Sequence, residues 1–242
     1  MTFSTQYPRV LHADQEHDRL RVSITVLILV SIWLGYRLIY GALELFASDA
    51  VRDYTVFLSC IGGVPLGLAL VWGIEKLLKR VWHSGNSLTL QDATILVQQR
   101  DHDTQRFDVS DQIDLMRWYF RLGGYARGGS ERRVAKNWYC LALQLQQEDN
   151  RLVVYTFVPP GQAVTAAQEP DSDFHEIHLK DVYTAHPGIM RPPSRPEIPA
   201  EVLRGKDGRF WLAERRRWHE GLELTREDFA TLMEFVRTTG AQ

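Results

Sequence analysis

The hydrophobic pattern changes along the chain, from two long apolar runs near the N-terminus to short alternating segments after residue 84. The first run, residues 22–45, opens with fifteen residues without charge, and the second, residues 55–74, has no charge over twenty residues. At about 1.5 Å per residue, a twenty-residue helix crosses a hydrocarbon core of about 30 Å. The pattern therefore predicts a transmembrane helical hairpin over residues 22–82, preceded by an N-terminal tail at 1–21.

Basic residues flank the outer ends of the two runs more heavily than the loop between them. Arg19 and Arg21 precede the first run, Lys79 and Arg80 follow the second, and Arg52 is the one basic residue of the loop. Because cytoplasmic flanks carry the excess of Lys and Arg, both termini are expected in the cytoplasm.

Small residues mark one face of the second run. Gly63 and Gly67 form a GxxxG pair, a spacing that lets another helix approach closely. Packing against the first helix of the same hairpin is the expected use of this face, ahead of a dedicated homodimer contact.

Apolar and polar residues alternate from residue 84 onward, as in strands with one buried face. The clearest pair is WYCLALQLQ at 138–146 and RLVVYTFV at 151–158, joined by a Glu-Asp-Asn turn. The other predicted strands lie at 87–90, 94–99, 106–109 and 113–122, with weaker ones at 174–179 and 209–216.

Near the C-terminus the spacing of the apolar residues changes from strand-like alternation to the period of a helix. Thr225 followed by Asp228 predicts a capping box that opens a helix over 225–238. Its apolar stripe consists of Phe229, Leu232, Met233 and Val236.

About seven strands closed by one amphipathic C-terminal helix is the order of elements in a pleckstrin-homology-like (PH-like) barrel. The two apolar runs followed by LTL (88–90), TILVQQ (94–99) and IDLMRW (113–118) resemble bacterial membrane proteins that have a transmembrane hairpin and a cytoplasmic PH-like domain. The resemblance covers residues 22 to about 158. It implies an α+β fold in which the hairpin precedes a mostly antiparallel barrel with a C-terminal helix.

The sequence departs from that pattern after residue 158. A polar stretch runs to residue 173, and five prolines at 187–199 forbid regular structure there. We therefore expect a cytoplasmic domain over 84–242 with a proline-rich insertion at 187–199.

Composition and motifs narrow the range of functions. The 242 residues contain 28 Lys and Arg against 30 Asp and Glu, which argues against a nucleic-acid-binding protein. Cys60 and Cys140 are too few for a disulfide framework or a structural zinc site.

His175 and His178 have an HxxH spacing, but surface histidines are the better interpretation because strand residues three apart lie on opposite faces. Since no nucleotide-binding or nucleophile-elbow motif is present, we expect no cofactor, no metal and no enzymatic activity.

A basic run surrounds the GGYARGGS segment at 123–130, with Glu131 as its one acidic residue. Close to a membrane, each exposed basic side chain would attract anionic headgroups by about 1 kcal/mol. The alternative is a solvated hairpin whose cations pair with the acidic turns between residues 101 and 111. The predicted lipid- or partner-binding residues are Arg117, Arg121, Arg127, Arg132, Arg133 and Lys136.

The sequence thus favours a membrane-anchored interaction module of the bacterial inner membrane, whose cytoplasmic domain binds a protein partner or anionic phospholipid. The alternative is an accessory subunit of a membrane enzyme or transporter.

Overall fold

The computed structural model describes residues 8–15, 17–46, 48–100, 103–125, 134–162, 173–183 and 197–240. The chain forms two compact units: a helical unit between residues 16 and 83, and a sheet-rich unit that joins the residues before position 16 to those after position 83.

The helical unit is an antiparallel pair, α1 (Asp18–Phe46) and α3 (Thr55–Val81), connected through the short helix α2 (Asp49–Arg52). Both long helices are long and apolar enough to cross a membrane. Side chains such as Leu29 and Trp33 are 70% and 62% exposed, so much of the apolar surface of these helices is not buried within the chain.

Every fourth residue of α3 is buried from its first turn to its fifth, and the residues on this stripe are Thr55, Ser59, Gly63, Gly67 and Val71.

This stripe packs against α1. A methyl group at Gly63 would approach Cα of Tyr36 to 2.7 Å, and one at Gly67 would approach Cα of Ile32 to the same distance. The prediction that the GxxxG face packs within the hairpin is confirmed.

The first sheet of the sheet-rich unit contains four antiparallel strands in chain order: β1 (Arg9–His12), β2 (Ser87–Gln91), β3 (Thr94–Gln98) and β4 (Gln105–Asp108). Strand β1 was not predicted. It pairs with β2 from Arg9 opposite Leu90 to His12 opposite Ser87. Residues before and after the helical hairpin therefore belong to one sheet.

The second sheet has the order β8-β5-β6-β7-β9. Its three long strands, β5 (Asp114–Arg121), β6 (Tyr139–Gln147) and β7 (Asn150–Val158), are antiparallel and match the predicted segments. The predicted strand at 174–179 is reduced to the two-residue β8 (His175–Glu176) followed by a 3₁₀ turn (Leu179–Asp181). Both β8 and β9 (Leu222–Glu223) pair in parallel with their neighbours.

Each face of the second sheet covers a separate core. One face packs against the first sheet and α6 (Arg226–Gly240), whose Phe229, Leu232 and Val236 are buried as predicted. Thr225 caps α6, since Asp228 N donates to its Oγ1 over 3.1 Å and Oγ1 donates to Asp228 Oδ2 over 2.8 Å. The other face packs against α4 (Ala200–Arg204) and α5 (Gly208–Glu220).

The prediction of a closed barrel is wrong, because the described strands form two sheets and no pairing between strands joins these sheets into a barrel. Polar residues link the sheets at two corners. Asp108 N donates to Gln147 Oε1 over 2.9 Å, and Gln147 Nε2 donates to Asp108 O over 3.1 Å. At the other corner, Asp14 N donates to Glu223 O over 2.8 Å and Glu223 N donates to Asp14 Oδ1 over 2.9 Å.

The predicted strand at 209–216 is wrong, because these residues belong to helix α5. The buried face of α5 includes Glu214 and Arg217, both fully buried as an ion pair with Nε to Oε2 at 2.7 Å. Two charged residues on the buried face interrupt the helical apolar stripe, and the short apolar run that remains at 210–213 does not distinguish a helix from a buried strand.

Residues 187–196 of the predicted proline-rich insertion lie outside the described residues. Its last residues, 197–199, lead into α4 without regular structure.

Candidate functional site

The structure brings two residues of the predicted basic site together and places a third elsewhere. Arg121, at the end of β5, and Lys136, before β6, line one open cleft of about 610 Å³. Arg117 lines a different cleft. Arg127, Arg132 and Arg133 lie outside the described residues, so their part of the predicted site stays a prediction.

The main-chain register between β5 and β6 explains why Arg121 and Lys136 are neighbours. Leu122 N donates to Trp138 O and Gly123 N donates to Lys136 O, each over 2.9 Å. Gly123 and Gly124 then turn the chain with φ of 58° and 85°, a left-handed conformation that favours glycine. The paired strands thus fix two cations at the mouth of the loop.

The segment after β8 supplies the opposite wall of the cleft. Ile177 N donates to Tyr119 O over 3.0 Å, which holds this segment along β5. Ile177 and Leu179 point into the core, while Glu176, His178 and Lys180 are exposed and line the cleft. We call this the basic cleft, with Arg121, Lys136 and Lys180 as its cations and Glu176 as its one described carboxylate.

Glu176 accepts a hydrogen bond from one neighbour and lies close to another. The Tyr119 hydroxyl donates to Glu176 Oε2 over 3.0 Å, and His178 Nδ1 lies 3.5 Å from Glu176 Oε1. Burial, the hydrogen bond to Glu176 and the charge of that carboxylate raise the pKa of Tyr119 to about 12. The hydroxyl is therefore protonated at neutral pH and remains a donor to the carboxylate.

The cations of the basic cleft are available to a ligand. Arg121, Lys136 and Lys180 are exposed, and none of the three forms an ion pair with an acidic residue in the part of the chain that the structure describes. The alternative for the basic run was pairing with the acidic turns between residues 101 and 111; because residues 101 and 102 lie outside the described residues, that alternative stays a prediction. Asp108, one of those turn residues, accepts from Ser110 N and Oγ, and these hydrogen bonds lower its pKa.

Glu176 and Lys180 were missed in the sequence because they lie about forty residues beyond the basic run. The signal that could have found them is the alternation in HEIHLK at 175–180, which places residues 176, 178 and 180 on one polar face.

Arg117 lies four residues before Arg121 on the same face of β5, which separates the two Cα atoms by about 13 Å. It lines a cleft of about 440 Å³ that also includes Val236 and Arg237. Burial lowers the pKa of Arg117, while the charge of Asp173 opposes this shift. Arg117 is half-buried and lines this second cleft, so it does not contribute to the basic cleft.

Two other residues considered in the sequence, His175 and Cys140, make contacts that belong to the fold. His175 stacks on Phe210 with ring centroids 3.9 Å apart, and its Nε2 lies 3.1 Å from Asp207 Oδ1. Trp118 and Cys140 are fully buried in the core beside α5. Among the described residues, no group of three or more His, Cys, Asp or Glu is arranged to hold a metal ion.

Comparisons of the chain with protein-family models, with curated proteins and with solved structures found no match. The structure itself defines a class in coarse terms: two apolar helices that could span a membrane, attached to a mixed domain whose described residues form two mainly antiparallel sheets and the helices α4, α5 and α6.

Proposed function

We propose that this protein is a membrane-anchored binding module whose sheet-rich domain takes the phosphate of an anionic phospholipid headgroup in the basic cleft. The observation that carries the proposal is the set of three exposed cations, Arg121, Lys136 and Lys180, around an open cleft of about 610 Å³. Charge-assisted hydrogen bonds from such cations to phosphate oxygens are among the stronger polar contacts.

The short connection to the helical unit supports a lipid ligand. Helix α3 ends at Val81 and β2 begins at Ser87, so residues 82–86 tether the domain. A domain tethered to a membrane-spanning helix by so few residues meets headgroups at high effective concentration. The basic flanks of the hairpin favour the cytoplasmic side, where anionic lipid attracts basic segments.

The surface of the domain favours a lipid headgroup over a stable protein partner. Among its described residues, Val10 and Leu212 are the exposed large apolar ones, at 50% and 36% exposure. Stable protein interfaces have an apolar core with aromatic anchors, whereas headgroup binding needs none.

The fold of the sheet-rich unit bears on the type of domain that this protein contains. Two packed sheets with a C-terminal helix in their shared core are compatible with a PH-like domain, and the resemblance noted in the sequence favours a bacterial inner-membrane protein. We therefore propose that the sheet-rich domain is PH-like and that the protein belongs to the bacterial inner membrane.

The test uses the full chain in nanodiscs, because β1 and β2 lie on either side of the hairpin. Amide hydrogen exchange at Gly123, Asn137 and Ile177 is compared between neutral phosphatidylcholine and mixtures that contain phosphatidylglycerol. We expect slower exchange in anionic nanodiscs, and we expect added salt to remove the difference because it screens exposed charges.

Alanine at all three cations, Arg121, Lys136 and Lys180, should abolish this protection, with a combined loss of about 3 kcal/mol at about 1 kcal/mol for each residue. The matched control replaces three exposed cations outside the cleft, Arg204, Arg209 and Arg215. A further variant with alanine at Arg127, Arg132 and Arg133 tests the predicted loop residues. Equal exchange in neutral and anionic nanodiscs at low salt would contradict the proposal and favour a protein partner.

A further inference from the structure

The basic cleft contains one feature that a simple phosphate site does not need. Glu176 lies among three cations, and its side chain is 41% exposed. A carboxylate at this position repels phosphate and lowers the affinity of the cleft for a bare anion. It strengthens binding only if the ligand brings a hydrogen-bond donor to it.

The carboxylate has capacity for such a donor. An ionised carboxylate has about four lone-pair sites. Tyr119 occupies one of them through its hydrogen bond to Oε2, and His178 Nδ1 lies 3.5 Å from Oε1. Because the hydrogen bond from Tyr119 orients the carboxylate, its other lone-pair sites are available to a ligand at a reduced entropic cost.

The charge balance decides between two kinds of donor. Three cations and one carboxylate leave the described lining with an excess of two positive charges. A phosphate with a neutral hydroxyl keeps its negative charge and matches this excess. A phosphate linked to an ammonium group loses that match, because its own cation cancels the negative charge.

We infer that the basic cleft selects a polyol phosphate, in which the phosphate contacts Arg121, Lys136 and Lys180 while a hydroxyl on a neighbouring carbon donates to Glu176. This rests on the proposed function, since it names the chemistry of the ligand at the same site. The glycerol headgroup of a phospholipid and a free polyol phosphate share this chemistry.

The experiment measures ³¹P NMR titrations of the full chain in an uncharged maltoside detergent, which contains no phosphorus. The probes, at about pH 8 where both are dianions, are glycerol 3-phosphate and methyl phosphate, which has no hydroxyl group to donate. We expect glycerol 3-phosphate to bind about five- to tenfold more tightly, which corresponds to one hydrogen bond of about 1 to 1.4 kcal/mol.

The Glu176→Gln variant gives a result that loss of structure would not. Its affinity for glycerol 3-phosphate should fall relative to methyl phosphate until the two are nearly equal, and its affinity for methyl phosphate should rise because the repelling charge is gone. Glu234→Gln, which removes an exposed carboxylate of α6, is the matched control and should keep the wild-type preference.

Added phosphatidylglycerol distinguishes the two sources of the ligand. Displacement of glycerol 3-phosphate by the lipid assigns the cleft to a headgroup, and binding that the lipid does not displace assigns it to a free polyol phosphate; each supports the selected chemistry. Equal affinity of the wild type for both probes would overturn the inference and leave the proposed anion site intact. Absence of binding by either probe would instead overturn the proposed function.

Discussion

The buried ion pair of α5 allows a prediction whose size follows from the structure. Arg217 donates to Glu214 through Nε at 2.7 Å and Nη2 at 2.9 Å, and Trp118 Nε1 donates to the same carboxylate at 3.1 Å. The Arg217 guanidinium also lies 4.6 Å from the ring centre of Tyr155. Both charged side chains are fully buried, so water does not replace a lost contact.

Replacement of Arg217 by Met removes two charge-assisted hydrogen bonds and leaves the carboxylate buried without this cation. Each such bond contributes about 1.5 to 3 kcal/mol, in agreement with about 3 to 5 kcal/mol for breaking a buried pair. For a domain of this size about 1 kcal/mol shifts Tm by about 2 to 4 °C, so the expected decrease is about 6 to 20 °C.

The assay is thermal unfolding of the full chain in detergent. Unfolding is monitored through the proteolysis of the sheet-rich unit. The control is Arg237→Met, which breaks a pair of the same i, i+3 spacing that is 59% and 55% exposed and contributes at most about 1 kcal/mol. The double variant Glu214→Gln with Arg217→Met should recover part of the loss, because a neutral amide needs no charge compensation and its oxygen can still accept from Trp118 Nε1. An Arg217→Met variant no less stable than Arg237→Met would refute the reasoning.

Three further predictions concern other parts of the molecule. Leu at Gly67 should disrupt the helical hairpin, whereas Leu at Gly73, where an added Cβ meets nothing within 4 Å, should be tolerated; crosslinking between the helices measures the difference. Replacement of residues 16–83 by a short Gly/Ser linker should give a soluble, folded domain by circular dichroism, because Ala13 N already donates to Asn86 O over 3.0 Å; an unfolded product would contradict this. The raised pKa of Tyr119 favours its protonated form in the folded state, so its contribution to stability should be complete below pH 10 and lost as pH rises towards about 12. In the Tyr119→Phe variant, the free energy of unfolding should no longer show this loss at high pH. A pH dependence unchanged from that of the wild type would count against the prediction.

The elements that could be predicted from sequence are those whose signal is local. The capping residue Thr225 and the stripe of α6 lie within one helix, and the hairpin of β6 and β7 has a short turn. Strand β1 has four residues and a partner more than seventy positions away, so no local pattern marks it. Helix α5 was missed because its buried face carries Glu214 and Arg217 in place of apolar residues.

The candidate site shows the same limit. Arg121 and Lys136 belong to one run of basic residues and could be found by composition. Glu176 and Lys180 join them only because β8 pairs with the outer edge of β5, which is a long-range contact. The chemistry of the basic cleft therefore depends on residues that no local pattern connects.

The pairing of β1 with β2 has a consequence for how the chain is assembled. Strand β1 is synthesised before the hairpin, but its buried Leu11 has no strand to pair with until β2 emerges after the second helix. If the roughly seventy residues between the two strands were unstructured, bringing β1 and β2 together would cost much chain entropy. In the folded hairpin, the rings of His17 and Trp82 lie with centroids 5.6 Å apart, so its two ends meet. Shortening the effective loop from roughly seventy to roughly six residues lowers the closure cost by about 2 kcal/mol. Formation of the hairpin thus promotes completion of the sheet, and by thermodynamic reciprocity the completed sheet holds the two helices together.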